Sequence, residues 1–127
     1  MLTLPASVRI FVATQSVDLR RGFDGLCGAV RSLLRQDPYS GHIFVFVNRR
    51  MDRAKLLVWS PSGFWLLYKR LERGTFRLPS PAAEGASHVS LEAGELASML
   101  DGIDLRQARR GPRWMPGESR FSIETPR

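Results

Sequence analysis

The hydrophobic period of this chain switches twice before residue 71, and that switching limits the fold more than any other feature. Val8 to Ala13 (VRIFVA) is a run of β-branched and aromatic residues, which predicts a first strand. Leu19, Phe23, Leu26, Val30, Leu33 and Leu34 follow at spacings of 4, 3, 4, 3 and 1. That is the apolar stripe of an amphipathic helix, predicted from about Asp18 to Arg35, with all six residues facing the core. Asp18 reads as its N-cap, because a carboxylate accepts from the unpaired N–H groups of a first turn. Gly22, Gly25 and Gly28 fall roughly on one side of the helix, where a sheet or a partner can approach closely.

The turn signal Asp37-Pro38-Tyr39-Ser40-Gly41 ends the helix, and period-2 patterning takes over. Three strands are expected at His42 to Asn48, Ala54 to Ser60 and Phe64 to Arg70. Pro61-Ser62-Gly63 is the tight loop between the last two, and Asn48 to Arg53 is a hairpin tip carrying three Arg. Leu56, Val58, Leu66 and Tyr68 are assigned to one face, and Leu57, Trp59, Trp65 and Leu67 to the other. With both faces apolar, one lies under the helix and the other is partly covered. A fifth strand is possible near Thr75 to Leu78. Ser80 to Ser87 has linker composition, Ser90 caps a second helix bearing Glu92 and Glu95, and Gly102 stops it. The fold class is therefore α+β: a small antiparallel sheet packed against one amphipathic helix, plus an acidic C-terminal helix and a basic tail. One domain is expected over residues 1–105 and a tail, by composition flexible, over 106–127.

Nineteen basic and twelve acidic residues give a net charge of +7, which makes a polyanion the first partner to consider. The charge is unevenly divided. Residues 1–79 hold thirteen cations and five anions, residues 80–105 hold five acids and no Lys or Arg, and residues 106–127 hold six Arg and two Glu. The candidate nucleic-acid surface is Arg49, Arg50, Arg53 and Lys55 at one hairpin with Lys69, Arg70, Arg73 and Arg77 after the next. Phe46, Trp59, Trp65, Tyr68 and Phe76 lie among them, as core or as stacking platforms for bases. Glu92 and Glu95 suit a basic protein partner.

Catalytic and metal chemistry find little support. His42 and His88 are isolated, and Asp18, Asp24 and Asp52 have individual structural roles open to them as cap, polar-face residue and counter-charge to the Arg. Cys27 is the single cysteine, which excludes an intramolecular disulfide and fits a reducing compartment. No phosphate loop, nucleophile elbow or dinucleotide fingerprint is present, so no cofactor and no enzyme activity are expected. The first residues lack signal-peptide character and no apolar run is long enough to span a bilayer, so the cytoplasm is the expected location.

Several runs together resemble one family. Asp18-Leu19-Arg20-Arg21-Gly22-Phe23-Asp24-Gly25-Leu26, Asp37-Pro38-Tyr39-Ser40-Gly41-His42-Ile43-Phe44-Val45-Phe46 and Tyr68-Lys69-Arg70-Leu71-Glu72-Arg73-Gly74 are similar to the TnpB-type accessory protein of the insertion sequence 66 family. So are Asp52-Arg53 followed by Lys55-Leu56-Leu57-Val58-Trp59, and Glu95-Leu96 with Leu100-Asp101-Gly102-Ile103. The likeness runs from about Val8 to Asp104. Met51 departs from it, standing where Gly or a basic residue is expected, and Ser60 stands where an acid is commoner. The resemblance implies a short bacterial protein, encoded beside a larger transposase and needed for efficient transposition, with no catalytic set of its own. The transposase and another accessory protein of the same element are the partners the resemblance implies, while DNA is the partner that the uneven basic charge suggests. Two main readings stay open, a DNA-binding factor that assists the transposase and a protein-interaction module that recruits it without touching DNA, with a catalytic subunit as a third, minor one.

Overall fold

The computed structural model describes residues 7–81 and 83–102 of the chain. Five strands and two helices run in the order β1 (Ile10–Ala13), α1 (Phe23–Ser32), β2 (Ile43–Val47), β3 (Arg53–Ser60), β4 (Gly63–Arg70), β5 (His88–Leu91) and α2 (Ala93–Leu100). The strands form one sheet in the order β4-β3-β2-β1-β5. β1 and β2 are parallel, while the other three pairings are antiparallel. The sheet is therefore mixed, not antiparallel as expected. The cause is α1 itself: a helix between two neighbouring strands carries the chain back to the end where it began, so the next strand runs the same way.

Every residue of β1 and β2 is buried. Their alternate side chains feed two cores, one on each face. Phe11, Phe44, Phe46 and Leu57 pack under α1 with Leu26, Cys27, Ala29 and Val30. Ile10, Val12, Val45 and Leu56 pack on the opposite face with Leu96 and Met99 of α2 and with Phe76. Phe76 belongs to no strand. Its N–H donates to the Met51 carbonyl and its ring is 1 % exposed, so the segment near Thr75 to Leu78 plugs the core instead of extending the sheet.

Four local expectations are corrected. Asp18 does not cap α1: its carboxylate is held by the backbone N–H and guanidinium of Arg20, and the helix begins five residues later, at Phe23, behind Gly22. Phe23, at the first helical position, is 46 % exposed, while Cys27 and Ala29 enter the core in its place. Ser90 is a strand residue opposite Phe11, because β5 closes the free edge of β1. The cap of α2 is Glu92, in a reciprocal box with Glu95. No sheet atom approaches the glycines of α1: a Cβ at Gly25 would meet Arg21, and Gly22 and Gly28 face open space.

The β3–β4 register is also displaced from expectation. The loop is two residues, Pro61 and Ser62, and Ser60 pairs with Gly63. A shift of one residue exchanges the faces of a whole strand. Leu56 and Val58 thus share a face with Leu67 and Trp65, and Lys55 and Leu57 share the α1 face with Tyr68 and Leu66. The basic tail 106–127, including the three Arg at 109, 110 and 113, lies outside the described residues, as do Ile103 and Asp104. The expected acidic helix has one acid within it, Glu95, with Glu92 and Asp101 at its two caps.

Candidate nucleic-acid interface

The β2–β3 turn is built around Asn48. Its side-chain carbonyl accepts from the N–H groups of Asp52 and Arg53, each at 3.0 Å, and its amide donates to the Asp52 carboxylate at 2.7 Å. The Met51 N–H closes the turn on the Asn48 carbonyl, and Met51 itself sits at φ 62°, a left-handed conformation that favours glycine. This accounts for the departure at Met51: the position wants Gly for its backbone, and here it holds Met. With both ends pinned, Arg49 and Arg50 project from the tip and are exposed.

Beside this tip lies a shallow cleft of about 500 Å³, lined by Arg20, Arg49, Arg50, Arg53 and Tyr68 together with Asp18 and Asn48. Two elements converge there: the loop after β1, and the β3–β4 ends that leave the sheet beside it. The loop is anchored by the buried Val17 and Leu19 and by the Val17 N–H donating to the Val47 carbonyl. Lys55 ties the two together. Its ammonium donates to the Arg21 carbonyl at 3.0 Å and lies 5.1 Å from the centre of the Tyr68 ring, whose side chain is otherwise largely open. Arg53 and Arg70 are directly opposite one another on the sheet, on the Tyr68 face. Like charges so placed repel, which costs stability and leaves the pair favourable towards an anion.

The cleft holds one anion of its own. Asp18 accepts from the Arg20 guanidinium and backbone N–H, and these bonds hold its pKa down at about 2 and raise that of Arg20. Arg20 is nevertheless 91 % exposed in its side chain, so the pair is a solvated surface clamp.

The eight expected cations are therefore divided. Arg49, Arg50 and Arg53 converge, Arg70 stands beside them with an ion pair to Glu72 at 3.0 Å, and Lys55 supports Tyr68 from behind. Lys69 points to the opposite face, 3.7 Å from Asp101 at the end of α2. Arg73 and Arg77 follow β4 on the segment that carries Phe76 into the second core. Sequence reasoning missed Arg20. Its signal was the acid two positions earlier, which was read as a helix cap. Among the aromatics, Phe46 and Phe76 are core, Trp59 closes a cluster with Tyr39 and Phe64, and Trp65 and Tyr68 are exposed. Glu92 and Glu95 cap α2, and Glu95 also lines a second hollow of about 470 Å³ beside β5. Asp18, Asp24 and Asp52 do not converge, and among the described residues no three His, Cys, Asp or Glu side chains could hold a metal ion. Among the described residues no helix is long and apolar enough to cross a membrane.

Fold and cleft define a small mixed α+β protein with a basic, aromatic-lined recess at one end of its sheet. The chain belongs to the IS66 Orf2-like family, whose model, described as "IS66 Orf2 like protein", matches residues 8–110. It is 46 % identical over 105 residues to the uncharacterized protein y4jC of Sinorhizobium fredii (strain NBRC 101917 / NGR234), covering 83 % of this chain and 87 % of that one. It is 35 % identical over 116 residues to y4hO, an uncharacterized protein of the same strain, covering 91 % and 96 % of the two chains. No solved structure matches it. Membership associates the chain with insertion-sequence transposition, in an accessory family that is not a known catalytic one.

Proposed function

We propose that this chain assists transposition by binding DNA through the cleft of Arg20, Arg49, Arg50 and Arg53, with Tyr68 as its aromatic wall. The observation that carries the reading is the convergence of four Arg from two separate segments on one open recess that also contains Asp18. Arginine forks match phosphate oxygens two at a time, and a rigid turn holds Arg49 and Arg50 out from the surface where a backbone can reach them. Arg70, on the same face, extends the basic strip along β4. Contacts of this kind fix a protein on DNA without reading its sequence, which suits a factor that helps a transposase assemble on element ends.

The test is a titration of the full chain against element-end and random duplexes at several salt concentrations. If about four phosphates are engaged, log K falls with log salt at a slope of about −3.6. Replacing Arg49, Arg50 and Arg53 together by Ala weakens binding at all sequences and flattens the slope by up to about 3. Absence of binding by folded protein at 50 mM salt overturns the reading.

The second reading, recruitment of the transposase or another accessory protein without DNA contact, is favoured by the hollow that Glu95 lines. Glu92→Ala/Glu95→Ala then loses transposase in a pull-down while keeping DNA affinity. Loss of the transposase by the Arg variant, with DNA binding intact, makes the cleft a protein-docking site instead.

A further inference from the structure

β4 ends the sheet on one side and is eight residues long, whereas β5 at the other edge has four. Long open edges invite pairing with another chain, and they are commonly blunted by proline, by scattered charges or by a covering segment. β4 has no proline, and its two cations occupy its last two positions, Lys69 and Arg70. Between them and Gly63 lie five uncharged residues, of which Trp65 is 54 %, Leu67 45 % and Tyr68 57 % exposed.

The hydrogen-bonding direction of each residue is fixed by the hairpin. Across a two-residue loop the closing pair, Ser60 and Gly63, exchanges both ladder bonds, and alternate pairs follow. Leu71, in phase with Gly63, accordingly donates its N–H to the Asp52 carbonyl at 2.8 Å. Phe64, Leu66 and Tyr68 therefore turn their N–H and C=O groups away from β3, and among the described residues no strand pairs with them.

We propose that β4 pairs antiparallel with β4 of a second copy of this chain, about a two-fold axis through Leu66. The strand is its own complement in that register. Trp65 falls opposite Leu67 of the second copy, Phe64 opposite Tyr68, and Leu66 opposite itself. Lys69 and Arg70 fall opposite Gly63 and Ser62, so the cations of the two copies lie at opposite ends of the ribbon. Moving the axis to Leu67 would set Trp65 against Lys69 and Phe64 against Arg70. An acidic partner strand would find its counter-charges at one end only, with apolar residues elsewhere. A two-fold axis perpendicular to the sheet also keeps the α1 faces of both copies on one side, and with them both basic clefts. One strand pair makes a small interface, so the dimer is reversible and concentration dependent.

Sedimentation velocity of the full chain without DNA, over about 1–200 μM, reads this directly. The expected result is a shift from a 14.3 kDa monomer towards twice that mass. Leu67→Lys, at an already exposed position, should weaken the dimer at least about tenfold, because each new lysine faces Trp65 of the other copy. Adding Trp65→Glu to it should recover part of the loss, since an introduced carboxylate then faces an introduced ammonium on each side of the axis. Leu66→Pro removes an outward N–H without touching the β3 ladder and should also favour monomer; Leu67→Lys decides if the proline variant unfolds. A wild-type monomer at every concentration overturns the proposal, leaving the edge to an extended segment of another protein. A dimer indifferent to Leu67→Lys, or a double variant weaker than the single one, overturns it as well.

Discussion

Asp18 and Ser62 each show a single residue taking on a role that its neighbours impose. The Asp18 carboxylate, with its pKa held at about 2 by Arg20, is ionised at every pH at which DNA binding is measured. Its folded pKa is depressed, so whatever stability the clamp gives is present above the ordinary carboxylate range and is lost only as pH falls towards 2. The Arg20–Asp18 pair therefore adds no pH dependence to DNA affinity between pH 6 and 8. Asp18→Asn removes the one anion lining the recess and frees Arg20, and we expect it to tighten DNA binding several-fold in a fluorescence titration; unchanged or weaker binding would take Arg20 out of the site. Ser62, at φ 75°, holds a side chain where the two-residue loop wants none. Ser62→Gly should raise thermal stability by up to about 1 kcal/mol, the left-handed strain relieved less the entropy that glycine adds to the unfolded chain. Met51 was visible in sequence only as a departure from the resembled family, standing where Gly or a basic residue is expected. Its backbone conformation supplies the reason.

At the level of elements, the existence and order of α1, β2, β3 and β4 were legible because each has a clean period and firm turn residues at its ends. What escaped were the features set by pairing. The parallel β1–β2 contact follows from where the helix delivers the chain, and β5 exists because β1 needs a second neighbour. His88–Leu91 carries little strand signal of its own beside the capping pattern that follows it. The inward face of α1 was misread at one residue. Phe23 continues the stripe by spacing, yet α1 starts there, before the helix has passed beneath the sheet. Leu26, wholly buried in the α1-side core, should cost about 2–5 kcal/mol when changed to Ala. Phe23→Ala should cost well under half of that, its ring being 46 % exposed. Chemical denaturation of the two variants measures both, and comparable losses would place Phe23 in the core after all. Of the basic surface, the cluster of Arg49, Arg50 and Arg53 was legible in the sequence, and the way the remaining cations divide was not. Lys69 and Arg70 are adjacent in the chain, but a strand sends them to opposite faces, one to Asp101 and the other beside Arg53.

At the scale of the molecule, the described residues form one sheet shared by two cores, and this arrangement governs how the domain opens. β2 is buried along its full length because Phe44 and Phe46 belong to one core while Ile43, Val45 and Val47 belong to the other. Neither layer can leave without exposing the central strands, so the described domain should unfold as a single unit. Cys27 is a ready reporter. It is the chain's single cysteine, 6 % exposed in the α1-side core, and burial pushes its thiol pKa up and keeps the reactive thiolate scarce. Met99 of α2, wholly buried against the opposite face of the sheet, does not share a core with it. Met99→Ala should destabilise by about 2–5 kcal/mol. If unfolding is cooperative, that loss appears undiminished at Cys27, whose labelling by an aromatic disulfide should quicken at least about 30-fold, at 1.4 kcal/mol per tenfold change. The control is Leu26→Ala, in the same core as the thiol, which should quicken labelling by its own measured destabilisation. A Cys27 labelling rate that ignores Met99→Ala, while circular dichroism reports loss of stability, would mean that the α2 layer detaches separately. The α1 side, with the basic recess, would then persist as an independent platform.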